Sequence, residues 1–185
     1  MTATILPGDV FETLKTITPG SIRCAVSSPP YYGLRSYLKA SDPLKQYEIG
    51  NEKTPEQYIE NLVRVSRLVY RALSDDGTFW LNLGDSYSSR TKGTGGRGAK
   101  SQLQKTKPGA YFDAIKLDPG LPEKNLLMIP ARVAMALQAD GWYLRSEIVW
   151  HKPNPMPESM KDRPTKSHEM IYLLTKSPKY FCDMI

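Results

Sequence analysis

A chain of 185 residues, 40% apolar and 24% charged, has the length of one domain and enough apolar content to bury a sizeable core. No apolar run approaches the roughly eighteen residues of a membrane span. Met1-Thr2-Ala3-Thr4 has neither the basic start nor the apolar stretch of a secretory signal, so a cytoplasmic location is expected. The net charge of +6 is concentrated: from Ser86 to Phe112 six basic residues (Arg90, Lys92, Arg97, Lys100, Lys105, Lys107) meet no acidic one, and they account for the whole surplus.

In chain order, residues 3–7 and 22–27 read as strands, the second alternating through Ile22, Cys24 and Val26. Asp9 and Glu12 between them suggest a capping box for a short helix that buries Phe11 and Leu14. Thr54-Pro55-Glu56-Gln57 is a stronger start signal: a capping threonine, proline at the first helical position, and glutamine three residues past the cap. The helix it opens carries Tyr58, Leu62, Val65, Val69 and Leu73 along one face, with Asp76-Gly77 expected to end it. Phe79, Leu81 and Leu83 then alternate over a strand at 78–84.

The basic stretch that follows is rich in Gly, Ser, Thr and Gln and cannot bury enough apolar surface to fold alone. It predicts a flexible basic insertion at about 86–122. Beyond it, Pro130 opens a helix through Val133, Ala136 and Leu137 that Gly141 stops. Strands are expected at 142–150 and 168–175, with 180–182 a short partner. The alternation implies an α/β fold with an incomplete, mostly parallel sheet and an antiparallel pair at one edge. Cys24 and Cys182 lie in apolar runs without metal or redox spacing, which reads as two buried free thiols in a reducing cytosol.

The most informative residues are Ser28-Pro29-Pro30-Tyr31, directly after the second strand. Two prolines remove two backbone donors and fix two φ angles, so the strand stops in a rigid turn. That turn presents the Ser28 hydroxyl and the Ser28 and Pro29 carbonyls as acceptors beside the face of Tyr31. Acceptors that hold amino hydrogens next to a ring that stacks suit a planar group bearing an exocyclic nitrogen. Strand ends on this side are where α/β sheets place ligands, which also brings in Asp85. Arg163 and Lys166, on a Pro-rich loop with Asn154, are candidates for phosphate contact. His151 and His168 are expected to make structural hydrogen bonds. Gly93-Thr94-Gly95-Gly96-Arg97-Gly98 fits G-x-G-x-x-G in letters only, because its strand ends some nine residues earlier and no periodic helix follows.

Ser28-Pro29-Pro30-Tyr31 resembles the catalytic motif of the amino-group DNA methyltransferases. The neighbouring blocks Ile5-Leu6-Pro7-Gly8-Asp9, Trp80 to Tyr87, Trp150 to Pro155 and Arg163 to Glu169 resemble that family's permuted branch in the same order. The resemblance covers residues 3 to about 183. It implies a Rossmann-like methyltransferase catalytic domain over 1–185, with S-adenosylmethionine as methyl donor and double-stranded DNA as substrate. The target would be an exocyclic amino group of a flipped base, cytosine favoured over adenine by the serine at the first motif position. Ser28, Pro29, Pro30 and Tyr31 would be catalytic. Asp9 would lie near the cofactor's adenine amino group, with Asp85 lining the pocket. The basic loop residues Arg90, Lys92, Arg97, Lys100, Lys105 and Lys107 would contact DNA, as would Arg163 and Lys166. No metal is implied.

The family's glycine motif for S-adenosylmethionine, which follows these blocks in the permuted branch, has no match in the 185 residues. The domain is therefore expected to be partial, with a second chain as one possible source of that motif. A catalytically incomplete DNA-binding fragment is one alternative function. A methyltransferase for an RNA base or a protein glutamine is another.

Overall fold

The structure is a computed structural model that describes residues 3–34, 36–39, 41–88, 91–92, 115–116, 120–155, 157–158 and 160–183, the pairs 91–92 and 115–116 through their backbone. The chain divides into two compact units. One comprises Met1–Ser27, Leu62–Asn82 and Val133–Ile185; the other comprises Ser28–Asn61 and Leu83–Arg132.

The first unit is built on a four-stranded sheet. Its strands are β1 (Ile22–Ser27), β2 (Leu73–Leu83), β5 (Tyr143–His151) and β6 (His168–Thr175), in the order β1-β2-β6-β5. The sheet is mixed: β1 runs parallel to β2, and β5 runs antiparallel to β6. The antiparallel edge pair follows from the connection, since the Pro-rich loop between β5 and β6 is too short for a helical crossover.

Helix α2 (Pro55–Ala72) starts where the capping signal places it, and the Gln57 amide donates to Thr54 Oγ1 at 3.2 Å. It ends before Asp76-Gly77. Leu73 already pairs with Ile22, the next pairing joins Thr78 to Cys24, and Ser74 to Gly77 stand outside the ladder. Leu73 therefore belongs to β2 and is fully buried. Helix α3 (Ile129–Ala139) turns Val133, Ala134 and Leu137 into the first unit's core. Gly141 stops it with φ +101°, a left-handed conformation that costs glycine little. Trp142 then packs edge-on to Tyr70 at 5.0 Å and tilted to Phe79 at 5.5 Å.

Several expectations need correction. Residues 3–7 form no strand among the described residues, and Ile5 is 89% exposed. A strand exists only through a partner's backbone groups, and this segment has none there. Helix α1 (Val10–Thr13) is capped by Asp9 as expected, whose Oδ1 accepts from the Phe11 amide at 2.9 Å. Glu12 turns instead to Lys15, and Phe11 and Leu14 are only half-buried. Residues 180–182 form no strand, and Phe181 is exposed. Both cysteines are exposed: Cys24 lies on an uncovered face of β1, and Cys182 lies past the last strand.

Candidate active site

Ser28 to Tyr31 belong to the second unit, where one side chain and two glycines hold this turn from three sides. Tyr58, fully buried on α2, donates its hydroxyl to the Pro30 carbonyl at 2.9 Å. Burial pushes the Tyr58 phenol far above its ordinary pKa, with Glu52 and Tyr31 adding to the effect, so it stays a neutral donor. Its ring packs on Tyr32 at 5.5 Å between centroids. Gly50, at φ +97°, comes so close that a Cβ there would lie 3.1 Å from Pro30 Cβ and 3.2 Å from the Tyr31 carbonyl oxygen. The Gly33 amide bonds the Gly50 carbonyl at 2.6 Å.

The third side is Gly84, the residue after β2. A Cβ on Gly84 would lie 2.6 Å from both Cδ2 and Cε2 of Tyr31. The ring thus rests against bare main chain, at a separation only glycine permits. Ser28 Oγ is 3.2 Å from the Tyr31 hydroxyl, so both ends of the motif are tied together. Ser28 is exposed and Tyr31 half-buried, which leaves this edge accessible from solvent. Tyr58 engages the Pro30 carbonyl; the acceptors read from sequence, Ser28 Oγ and the Pro29 carbonyl, are other atoms. Sequence reasoning placed Tyr58 in a core stripe and missed Gly50 and Gly84 as supports. A glycine directly at a strand end was the available signal for Gly84.

Asp85 sits in the same unit and has a structural task there. Its Oδ1 accepts from the amides of Ser86 and Ile129, each at 2.9 Å, and so satisfies an orphan N–H at the start of α3. A carboxylate at a helix N-terminus also favours the helix dipole. Its second oxygen takes part in neither bond. Asp9, in the other unit, likewise commits Oδ1 to capping.

The segment expected to be a flexible insertion has a paired base. Ser88 donates its amide to Asn125 and accepts from Lys124, Leu127 donates to Ser86, and Tyr87 bridges Leu126. Strand β3 (Thr91–Lys92) then pairs antiparallel with β4 (Ile115–Lys116). Lys92 lies in that ladder. Arg90, Arg97, Lys100, Lys105 and Lys107 lie outside the described residues, as does the glycine run 93–98. Arg163, in the first unit, ion-pairs with Glu158 and is only partly exposed, and Lys166 is half-buried. His151 and His168 stand opposite each other at the end of the β5–β6 ladder, both exposed.

The loop after the motif is pinned by Glu48, which accepts from the Tyr37 amide, the Leu38 amide at 3.1 Å and Lys45 Nζ at 2.8 Å. Burial pushes its carboxyl up, but these donors outweigh it and hold the pKa below that of an ordinary glutamate. A depressed carboxylate contributes stability above its unfolded pKa and loses it as pH falls through the folded value. Glu48→Gln is therefore expected to flatten the fall of the urea midpoint between pH 6 and pH 3. A variant that tracks the wild type would assign the acid sensitivity elsewhere.

A DNA methylase family model of the N6/N4 amino-methyltransferase type matches residues 22–184. The chain belongs to the DNA methylase family. The chain is 47% identical over 181 residues to the Type II methyltransferase M.Cfr9I of Citrobacter freundii, a match covering 98% of the chain and 57% of the relative. It is 48% identical to M.XycI of Xanthomonas campestris pv. cyanopsidis, with the same coverage. It thus spans just over half the length of these relatives. Among solved structures, the PvuII DNA methyltransferase (cytosine-N4-specific) superposes with a TM-score of 0.60 at 17% identity, over 95% of this chain and 50% of that one. TTHA0409 of Thermus thermophilus, a putative DNA modification methylase solved with S-adenosyl-L-methionine, gives 0.57 at 20% identity, over 96% and 54%. These likenesses establish the fold, an α/β methyltransferase sheet. No helix among the described residues is long and apolar enough to cross a membrane.

Proposed function

We propose that this chain contributes the base-handling part of an S-adenosylmethionine-dependent DNA methyltransferase. The reaction would modify an exocyclic amino group of a flipped base, with cytosine N4 favoured. The observation that carries this reading is the Ser28–Tyr31 turn, locked by Tyr58, Gly50 and Gly84, with acceptor oxygens beside an accessible aromatic ring.

An aromatic amine is a weak nucleophile because its lone pair is delocalised into the ring. Hydrogen bonds from its two N–H groups to Ser28 Oγ and the Pro29 carbonyl favour a pyramidal nitrogen whose lone pair is available. These acceptors are held before the substrate arrives, so aligning them costs little during the reaction. The target amino group lies inside duplex DNA, so the base leaves the stack, and Tyr31 offers it a new stacking surface. The product ammonium is acidic enough to lose its proton to water. S-adenosylmethionine, when bound, supplies an electrophilic methyl group. The carboxylate of Asp85, with an oxygen beyond its capping bonds, suits a hydrogen-bond donor of the cofactor. The basic segment from Arg90 to Lys107 suits the phosphate backbone, where each contact releases counterions.

The test is mass-spectrometric analysis of nucleosides from DNA incubated with S-adenosylmethionine and the chain, alone and fused to the part of M.Cfr9I outside the aligned stretch. N4-methylcytosine is the expected product, and Ser28→Ala is expected to lower its rate about tenfold, the worth of one hydrogen bond near the top of the usual range. N6-methyladenine would correct the base. No methylated nucleoside, or a Ser28→Ala variant at full rate, would overturn the mechanism.

A further inference from the structure

The glycine that braces the Ser28–Tyr31 turn is itself held by a side chain that has no part in the motif. Gly50 lies in a turn at φ +97°, so neither helix nor strand fixes its place. Glu52 does. Its Oε2 accepts from the Gly50 amide at 2.8 Å, and its Oε1 accepts from Asn61 Nδ2 at 2.9 Å. The Gly50 carbonyl in turn takes the Gly33 amide, and Tyr32 donates its hydroxyl to the Lys53 carbonyl at 3.3 Å. Residues 50–53 therefore lie along the far end of the turn, with Glu52 as their tie to α2.

Asn61 stands three residues past Tyr58 on α2, so the two share one side of the helix. The helix reaches the turn twice. Tyr58 holds the Pro30 carbonyl directly, while Asn61 works through Glu52 and Gly50 on the segment from Tyr31 to Gly33. All of these residues belong to the second unit. The side chain at 52 faces two donors, and a carboxylate offers an acceptor oxygen to each, where glutamine would offer one acceptor and one donor.

We infer that Glu52 is a positioning residue for methyl transfer: by tying Gly50 to α2 it fixes the Tyr31 ring and the Pro29 carbonyl before the base arrives. The inference rests on the methyltransferase reading, of which it names a further working part. Loosening the tie misaligns the turn without removing a contact to DNA, so the loss falls on kcat and spares KM.

Two readouts test it. In the chain alone, Glu52→Ala is expected to speed hydrogen exchange of the Gly50 and Gly33 amides by about tenfold or more, with the amides of the β5–β6 ladder unchanged. In the chain fused to the part of M.Cfr9I outside the aligned stretch, acting on unmethylated plasmid DNA, Glu52→Ala is expected to lower kcat about tenfold and to leave KM for DNA within about twofold. The loss stays below that of a full ångström of misplacement because Tyr58 still holds Pro30. Asn61→Asp, which sets two carboxylates face to face, is expected to lower kcat as far. Adding Glu52→Gln to it gives every donor an acceptor again and is expected to restore kcat to within about threefold of wild type.

Unchanged exchange in Glu52→Ala would overturn the inference, as would a wild-type kcat or a loss confined to KM. So would an Asn61→Asp defect that Glu52→Gln leaves in place, and this arm decides alone if circular dichroism finds Glu52→Ala unfolded. Methylation by wild type and Glu52→Ala at equal rates removes the inference only. A wild-type fusion that methylates nothing removes the methyltransferase reading and the inference together.

Discussion

Gly84→Ala is expected to lower methyl transfer about a hundredfold while leaving the protein folded. The added Cβ would sit 2.6 Å from two ring carbons of Tyr31, whereas ordinary contact begins near 3.4 Å. Something must move by most of an ångström, and the half-buried ring can swing outward more readily than buried main chain. Overpacking of this kind costs roughly 1–3 kcal/mol when it cannot be relieved, so relief by rotation places the stability loss at the lower end. The catalytic loss is larger because a displacement near 1 Å costs on the order of 10²-fold in a reaction that depends on alignment. The measurement is a double-mutant cycle with Tyr31→Ala, read as kcat/KM on duplex DNA by the chain fused to the part of M.Cfr9I outside the aligned stretch. If Gly84 acts through the ring, adding Gly84→Ala to Tyr31→Ala costs little more. Independent, additive losses would show that Gly84 serves something else, and a fully active single variant would remove its role altogether.

Tyr58→Ala is expected to be the most destabilising substitution in the second unit, by about 3–5 kcal/mol on the scale of other buried aromatic truncations. The ring is fully buried, packs on Tyr32 and carries the donor for the Pro30 carbonyl. Tyr58→Phe separates the two contributions. It keeps the ring and strands the carbonyl, which costs about 1–3 kcal/mol where water cannot replace the donor. Urea unfolding of both variants gives the difference. Equal stability of Tyr58→Phe and wild type would mean that solvent reaches Pro30 and that the turn is held by packing alone. Because the phenol titrates far above neutrality, the wild-type contribution is expected to be constant from pH 6 to pH 9.

Local signals were legible where they rest on local physics. The Thr54-Pro55 start of α2, the Gly141 stop of α3, the strand at 22–27 and the whole of 168–175 are set by capping, φ preference and alternation, and the structure has them there. The end of α2 was not legible. Leu73 continues the helical stripe in sequence, but pairing with Ile22 draws it into the sheet, and a ladder partner fifty residues away leaves no local trace. The same holds for residues 3–7, read as a strand from sequence, because strand formation depends on a neighbour. The cysteines were misjudged for a related reason: an apolar run predicts burial only if something covers it.

At the site, the Ser28–Tyr31 motif announced itself through its prolines. Its supports did not, because Gly84 and Gly50 matter for atoms they lack, and Tyr58 looks in sequence like any core aromatic. Asp85 was read as pocket lining, yet its bond to the Ile129 amide spans forty-four residues and could not be anticipated from spacing.

The ladder that closes the base of the basic insertion has an evolutionary implication. Ser86, Ser88, Tyr87 and the Thr91–Lys116 pairing fix both ends of the segment before its sequence between them matters. Closing such a segment costs only about 0.6 kcal/mol more each time its length doubles. The interval can therefore be lengthened, shortened or recharged at little cost, while Gly84 and Asp85 just outside the clamp keep their positions.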